Sequence, residues 1–288
     1  MKFTMTGADK MEFIVNKEWL VQQLENKLVK IVDCRFVMGE PDRGREMYRE
    51  SHIPGAYYFD LEEQMSNAVE EHGGRHPLPD VEEFRKELEK VGINKETTIV
   101  AYDEGEGQYA ARFWWLASYL GHDRVFVLDE GFHGWKEADY PTDNELPKKE
   151  STSFPVDIQE DMLVTHEDVK KIAESNDKLA VLIDSRSKER YLGKEEPIDK
   201  IAGRIPGSIN FDWEENIREG SFKKLEVLKD RFSDIKKEEP IVVYCGSGVT
   251  ATVNYLVLKW LGFSDVKLYA GSYSDWISYE ENSIEKGD

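Results

Sequence analysis

The chain has 288 residues, which is enough for two domains of ordinary size. Its 40% hydrophobic and 11% aromatic content is typical of globular proteins and excludes a largely disordered chain. The formal net charge of −20 repels phosphate backbones and anionic lipids, so we expect neither nucleic-acid nor membrane binding.

The cysteine content limits the compartment and the covalent chemistry. The chain has two cysteines, Cys34 and Cys245, so a disulfide framework is not possible. Its histidines and acids show no clustering with the spacing of a metal site. The N-terminal stretch lacks the apolar core of a signal peptide, and no apolar run approaches the roughly 18 residues of a membrane span. We therefore expect a protein of the reducing cytoplasm, in which a thiolate can persist.

Taken in chain order, the recognisable blocks occur twice. The first half contains VKIVDCR (29–35), HIPGAYYFD (52–60), IVAYD (99–103) and RVFVLDEGFHGW (124–135). The second half contains AVLIDSR (180–186), RIPGSINFD (204–212), IVVYC (241–245) and DVKLYAGSYSDW (265–276). Four matches in the same order indicate two copies of one domain.

A polar, proline-containing stretch at 141–155 lies between the copies and has the composition of a linker. We place the N-terminal domain at 1–143, the linker at 144–156 and the C-terminal domain at 157–288. The paired Trp135 and Trp276 are interpreted as core aromatics.

Each copy alternates short β-branched runs with helical patterns. The runs are apolar without interruption, as in strands that are buried on both faces of a parallel sheet. In the second copy, Val253, Leu256, Val257 and Trp260 have helical spacing. The pattern predicts an α/β fold, built twice, with a small parallel sheet and helices on both of its faces. Ligands of such sheets bind beyond the carboxyl ends of the strands, which is where Cys245 lies.

The loop CGSGVTA, residues 245–251, has features of both a nucleophile and an anion pocket. Gly246 and Gly248 allow backbone angles closed to other residues and leave the amide N–H groups uncovered. The next helix is predicted to begin near Val249 or Thr250, so its positive end faces the same space. These donors favour the thiolate of Cys245 and can also hold an anionic substrate. Cys34, beside bulky neighbours and without a glycine cradle, is interpreted as an inert core cysteine.

The loop CGSGVTA, the HIPGA and RIPGS blocks, the DSR…ERYLG segment and the repeat resemble the two-domain rhodanese family of sulfurtransferases. The resemblance extends from about Trp19 to Trp276. It implies two tandem rhodanese-like domains. The loop itself is similar to that of the 3-mercaptopyruvate sulfurtransferases, whereas thiosulfate-using members usually carry basic residues after the cysteine.

The resemblance implies covalent catalysis in two steps. The Cys245 thiolate takes the outer sulfur of 3-mercaptopyruvate or thiosulfate as a persulfide, and pyruvate or sulfite leaves. A thiol, thioredoxin or cyanide then removes the sulfur. The loop amides of Gly246, Gly248, Val249 and Thr250 are expected to bind the anion. This chemistry requires no metal and no organic cofactor, and we expect a monomer.

The residues near the cysteine bear on the choice of donor. The loop offers a hydroxyl, Ser247, and no cation, which suits the single carboxylate of mercaptopyruvate better than the thiosulfate dianion. By resemblance, Arg190 holds the anionic end of the donor, although a surface ion pair is the alternative. The mercaptopyruvate-type members usually have a second arginine a few residues later, and in this chain Asp199 lies near that position. The contact made by the second arginine is therefore missing or comes from Lys200 or Arg204. The choice of donor therefore stays open.

Two further roles rest on the resemblance and the repeat. His52, backed by Asp42, is a candidate proton relay to Ser247; alternatively, His52 bonds its local backbone. Asp103 stands in the first copy where Cys245 stands in the second. A carboxylate cannot accept a sulfane sulfur, so the first copy is predicted to be inactive.

Residues of the same loop also bear on two other functions. A cysteine phosphatase needs an arginine six positions after the cysteine, and that position holds Ala251. A non-catalytic sulfur-carrier or protein-binding module of the same fold usually lacks the cysteine, which is retained here. Gain of one sulfur atom on incubation with a donor separates the enzyme from the binding module.

Overall fold

The computed structural model describes residues 10–11, 13–148 and 150–287 and forms two compact units. The first unit contains the described residues of Met1–Ser66, Pro79–Ile158 and Glu219–Phe222. The second unit contains those of Asn67–Leu78, Gln159–Arg218 and Lys223–Asp288. Each half of the chain therefore contributes a short segment to the unit built mainly by the other half.

This division differs from contiguous domains with a linker at 144–156. The stretch interpreted as a linker belongs to the first unit. Phe154 is buried there, and its N–H donates to Glu89 Oε1 at 2.8 Å. The hydroxyl of Tyr57 donates to the carbonyl of Lys148 at 2.9 Å. The polar composition of this stretch is that of a free linker. One buried aromatic side chain and these hydrogen bonds nevertheless attach it to the first unit.

The first unit is built on a mainly parallel sheet. Its elements are β1 (Lys10–Met11), β2 (Ile14–Val15), α1 (Lys17–Val21), β3 (Val29–Asp33), α2 (Arg43–Glu50), β4 (Tyr57–Tyr58), α3 (Val81–Lys90), β5 (Thr98–Tyr102), α4 (Gln108–Tyr119), β6 (Val125–Leu128) and α5 (Gly131–Glu137). The strand order is β1-β2-β6-β5-β3-β4, and only the pair β1–β2 is antiparallel. Every residue of β5 is buried, as expected for a central parallel strand.

The second unit repeats the parallel sheet in a smaller form. Its elements are a 3₁₀ turn (Glu160–Met162), α6 (His166–Glu174), β7 (Val181–Asp184), α7 (Lys188–Tyr191), β8 (Ile209–Asn210), a 3₁₀ turn (Trp213–Asn216), β9 (Ile217–Arg218), α8 (Leu225–Arg231), β11 (Ile241–Tyr244), α9 (Ala251–Trp260), β12 (Val266–Leu268) and α10 (Ser272–Trp276). Strand β10 (Ser221–Phe222) belongs to the first unit. The order is β12-β11-β7-β8, with all pairs parallel. The predicted α/β fold of two parallel sheets with helices is confirmed.

The cores follow from the apolar runs. Trp135 and Trp276 are 0% and 1% exposed in the two hydrophobic clusters, which confirms their interpretation as core aromatics. Strand β11 lies between β7 and β12, and its four residues are all buried. The chain leaves β11 at Tyr244, turns through residues 245–250 and enters α9. This strand–loop–helix order places Cys245 at the carboxyl edge of the sheet. No described helix has the length and apolar character needed to cross a membrane.

Candidate active site

Cys245 lies in the loop that follows β11 and is 2% exposed. The N–H of Gly248 donates to its Sγ at 3.1 Å. Burial by itself raises the pKa of this thiol. Hydrogen bonds from the Thr250 hydroxyl and from the N–H groups of Ser247, Ala251 and Gly248 outweigh burial, so the net pKa is lowered. The direction is the one that the loop sequence predicts.

Cys34 has the opposite electrostatic environment. It is fully buried, and its pKa is raised well above the usual value by burial and then by the carboxylates of Asp33 and Asp103. A thiol that stays protonated inside the core is a poor nucleophile. Of the two free cysteines, Cys245 is therefore the one suited to covalent chemistry.

The two loop glycines serve different purposes. Gly248 has φ of +75°, and a Cβ at this position would lie 2.1 Å from the carbonyl oxygen of Ala270. Both the left-handed backbone and the close approach require glycine. A Cβ at Gly246 would lie 2.7 Å from Nη2 of Arg75 and 3.3 Å from Nη2 of Arg190. Gly246 thus makes room for two guanidinium groups, rather than supplying the unusual backbone angle that we predicted for both glycines.

Ser272 fixes the loop from the start of α10. Its φ is +57°, a conformation that few non-glycine residues adopt. Its hydroxyl accepts the N–H of Cys245 at 3.1 Å and donates to the carbonyl of Tyr269 at 2.9 Å. The carbonyl of Cys245 in turn accepts the N–H of Tyr273 at 3.0 Å. Such strain at a loop that carries a nucleophile is consistent with a positioning role.

Two arginines with carboxylate partners lie beside the loop. Arg190 donates through Nε to Glu196 at 3.1 Å and through Nη2 to Asp199 at 2.9 Å. Arg75 forms an ion pair with the other oxygen of Asp199. The side chains of Glu196 and Asp199 are 3% and 2% exposed, so these pairs are shielded from water. The Arg190 guanidinium lies beside Gly246, and its role in binding the donor stays a prediction.

The second guanidinium comes from a residue that sequence reasoning missed. We expected the second arginine contact near Asp199 to be missing or to come from Lys200 or Arg204. Arg204 is instead buried, paired with Glu285 and bonded to the carbonyl of Gly287 at 2.6 Å. Arg75 lies at the loop because residues 67–78 belong to the second unit.

The histidine at Ser247 is also different from the expected one. Ser247 Oγ is 2.8 Å from Nδ1 of His76, and both residues are buried. The ring of His52 lies in the first unit, with Nδ1 2.6 Å from the carbonyl of Tyr48. This agrees with the alternative in which His52 bonds its local backbone.

Asp42 does not back His52 in the structure. Asp42 is the residue before α2 and makes no side-chain hydrogen bond to that helix. The carboxylate beside Nε2 of His52 is that of Asp143, at 3.1 Å. In the structure the acidic partner of His52 is thus Asp143 rather than Asp42, and the histidine in contact with Ser247 is His76.

The segment that carries Arg75 and His76 is attached at several points. The N–H of Gly73 donates to Asp275 Oδ1 at 2.7 Å, and the N–H of Arg75 donates to Ser274 Oγ at 3.1 Å. The ring of His72 stacks on Tyr279 with centroids 4.0 Å apart. A Cβ at Gly74 would lie 2.3 Å from the carbonyl oxygen of Gly271, so the backbones are in direct contact. These contacts hold the segment against α10 and the loop that precedes it.

The first unit has an acid at the position equivalent to Cys245. Asp103 accepts the N–H groups of Gly105, Gly107, Tyr109 and Ala110 at distances from 2.9 to 3.2 Å. The Asp103 carboxylate therefore accepts hydrogen bonds from loop N–H groups, as the Cys245 thiol does in the second unit. Burial raises the pKa of Asp103, although these hydrogen bonds oppose that effect. The described structure thus has no thiol at this position, and the inactivity of the first copy stays a prediction.

Comparison with known proteins identifies the family. Residues 16–138 and 165–279 both match the rhodanese-like domain family. A probable 3-mercaptopyruvate sulfurtransferase of Pseudomonas aeruginosa is 37% identical over 283 residues, covering 96% of this chain and 98% of that protein. The thiosulfate sulfurtransferase of Rattus norvegicus is 31% identical and covers 91% of each chain. The crystal structure of SseA from Escherichia coli, a 3-mercaptopyruvate sulfotransferase, superposes with a TM-score of 0.81 at 32% identity, covering 91% of this chain and 99% of SseA.

The chain belongs to the rhodanese-like domain family and contains two such domains. It is an enzyme of the sulfurtransferase class, like the relatives that match it over most of its length. The predicted family is thus confirmed.

Proposed function

We propose that the protein transfers a sulfane sulfur from 3-mercaptopyruvate, in preference to thiosulfate, through a persulfide on Cys245. The observation that carries the proposal is a thiol of lowered pKa held by loop donors beside the guanidinium groups of Arg75 and Arg190. The loop provides the nucleophile, and the arginines provide the site for the anionic end of the donor.

In the first step, the thiolate of Cys245 attacks the sulfur of mercaptopyruvate. The new S–S bond forms as the C–S bond of the donor breaks, and the electron pair of that bond leaves on carbon as the enolate of pyruvate. Addition of one proton to this carbon completes pyruvate. The sulfur remains on the enzyme as Cys–S–SH, stabilised as its anion by the loop N–H groups and the hydroxyl of Thr250.

Ser247 and His76 are proposed to supply that proton. Their contact of 2.8 Å is short enough for proton transfer between the hydroxyl and the ring. Sulfite, the leaving group from thiosulfate, departs with its electron pair on sulfur and needs no proton at this stage. The pair is therefore specifically useful for a donor that leaves as a carbanion.

In the second step, an acceptor thiolate attacks the outer sulfur of the persulfide. The S–S bond to Cys245 breaks, the acceptor becomes a persulfide, and the Cys245 thiolate is restored. Cyanide accepts the sulfur in the same way and becomes thiocyanate. Thioredoxin and small thiols are the proposed acceptors in a reducing cytoplasm, and the two free cysteines of the protein are compatible with that compartment.

The remaining assignments are proposals of the same kind. We propose that the protein acts as a monomer and that the first domain is catalytically inactive. The catalytic domain comprises the C-terminal half together with residues 67–78, because that segment carries Arg75 and His76.

Steady-state kinetics with both donors tests the proposal. The native protein is expected to have a higher kcat/KM for mercaptopyruvate than for thiosulfate, and Cys245→Ser is expected to be inactive with both. Cys34→Ser, a matched substitution at the other free thiol, is expected to retain activity in the folded protein. A strong thiosulfate preference would overturn the donor assignment, and an active Cys245→Ser would overturn the persulfide mechanism.

A further inference from the structure

Asp199 connects the two guanidinium groups beside the catalytic loop. Its Oδ2 accepts from Nη2 of Arg190 at 2.9 Å, and its Oδ1 is paired with Arg75. The Asp199 side chain is 2% exposed, whereas those of Arg75 and Arg190 are 29% and 16% exposed. The carboxylate is therefore shielded from water, whereas both arginines keep an accessible side.

The charges around the loop balance in number. Arg186 pairs with Asp184 at 2.6 Å and with Glu196 at 3.2 Å, and Arg190 shares Glu196 and Asp199. Three cations, including Arg75, thus face three carboxylates. Burial lowers the pKa of Arg75, and Cys245 opposes that shift. The Arg75 guanidinium also lies next to Gly246, the residue that follows Cys245, because a Cβ there would be 2.7 Å from its Nη2.

Glu196 and Asp199 differ in their hydrogen-bond partners. Glu196 Oε1 also accepts the backbone N–H groups of Ile198 and Asp199, at 3.2 and 3.0 Å, so Glu196 shapes the turn as well as pairing with arginines. Both oxygens of Asp199 are directed at guanidinium groups. Its charge can therefore be removed with less effect on the local backbone.

We propose that Asp199 determines donor charge selectivity: it neutralises part of the Arg75–Arg190 pair, so that the pair favours a monoanionic carboxylate over a dianion. The inference deepens the proposed function and rests on it. A second negative charge on the donor is repelled by Asp199 and by the Cys245 thiolate. Among the described residues of this cluster, no further unpaired guanidinium offsets that repulsion. Arg75 is the second guanidinium of the donor site, supplied by the segment 67–78.

The substitution that tests this inference is Asp199→Asn. Asparagine keeps the shape and one acceptor oxygen but removes the charge. Both donors should bind more tightly, and the dianion gains more because it carries one more charge. For an extra unit charge about 7 Å away in a partly screened site, the ratio of kcat/KM for thiosulfate to that for mercaptopyruvate should rise on the order of tenfold. The change should appear mainly in KM.

Glu195→Gln is the matched control. Glu195 is exposed and lies in the same segment, so this variant changes the net charge of the protein equally without altering the arginine pair. The donor ratio should stay at the native value. An equal rise in Glu195→Gln would indicate a general charge effect and overturn the inference.

A binding experiment separates this inference from the proposed function. On Cys245→Ser protein, pyruvate and sulfate are titrated calorimetrically as unreactive monoanionic and dianionic probes. Adding Asp199→Asn should raise the affinity for sulfate about tenfold more than that for pyruvate, by the same charge argument. Equal changes would overturn the role of Asp199 even if the native protein forms its persulfide. Failure of the native protein to form a persulfide with either donor would instead overturn the proposed function.

Arg75→Gln provides a test that does not depend on the folding of Asp199→Asn. It removes one cation and leaves Asp199 paired with Arg190. Both donors should bind more weakly, with the larger loss for thiosulfate. An unchanged KM for both donors would remove Arg75, and with it the proposed pair, from the donor site.

Discussion

Gly248→Ala tests whether the tight turn after β11 is needed to hold the thiolate. The new Cβ would lie 2.1 Å from the carbonyl oxygen of Ala270, about 0.9 Å closer than such atoms approach, and φ is +75°. The left-handed backbone costs about 1–2 kcal/mol for a residue with a Cβ, and relieving the clash costs roughly 1–3 kcal/mol more. We therefore expect the free energy of unfolding to fall by about 2–5 kcal/mol.

The same change should also weaken the nucleophile. Relief of the clash moves the N–H of Gly248 away from Sγ of Cys245, where it now lies at 3.1 Å. Loss of that donor raises the pKa of the thiol and slows its alkylation at neutral pH. Urea denaturation measures the first effect, and iodoacetamide kinetics on folded protein measures the second.

Gly207→Ala is a closely matched control. Gly207 has the same φ of +75°, but a Cβ there would meet nothing within 4 Å. Only the backbone cost of about 1–2 kcal/mol should remain, with normal thiol reactivity. If both variants lost the same stability and Gly248→Ala kept native alkylation kinetics, the reasoning about the close approach to Ala270 would be refuted.

The remaining predictions concern single groups around the thiol. Because the pKa of Cys245 is lowered, its alkylation should persist at pH values below those at which ordinary thiols react, and should decline only as the pH falls through the lowered pKa. Thr250→Val should raise that pKa and shift the pH profile of alkylation to higher pH. An unchanged pH profile would show that the Thr250 hydroxyl does not stabilise the thiolate. His76→Asn should slow single-turnover pyruvate formation and leave sulfite release nearly unchanged, whereas equal losses would indicate a structural role. Ser272→Gly should keep the fold, because glycine accepts φ of +57°, but should lower the transfer rate; a native rate would exclude the hydroxyl as a positioning group.

Local pattern was sufficient to predict the fold and the position of Cys245 at the end of a strand. The run IVVYC, the small-residue loop and the helical spacing after it are contiguous, so they indicate β11, the turn and α9 without knowledge of distant contacts. The lowered pKa of Cys245 also follows from neighbours in sequence, because the Thr250 hydroxyl and the loop N–H groups outweigh burial. The raised pKa of Cys34 comes first from burial and then from the carboxylates of Asp33 and of the distant Asp103, so it depends on the fold.

The rest of the site depends on contacts that sequence spacing does not encode. His76 and Ser247 are 171 positions apart, and Arg75 is 124 positions from Asp199. Residues close in the second copy therefore suggested Lys200 or Arg204, and the repeated blocks suggested His52. The only local signal was the pair of glycines before Arg75, of which Gly74 has φ of +81° and touches the backbone at Gly271.

The central claim is that Cys245 carries the transferred sulfur. Intact-protein mass spectrometry after incubation with mercaptopyruvate, without an acceptor, measures this directly. The native protein and Cys34→Ser should each gain one sulfur atom, which a thiol acceptor then removes, and Cys245→Ser should gain none. An equal gain by Cys245→Ser, or no gain by the native protein with either mercaptopyruvate or thiosulfate, would contradict the account.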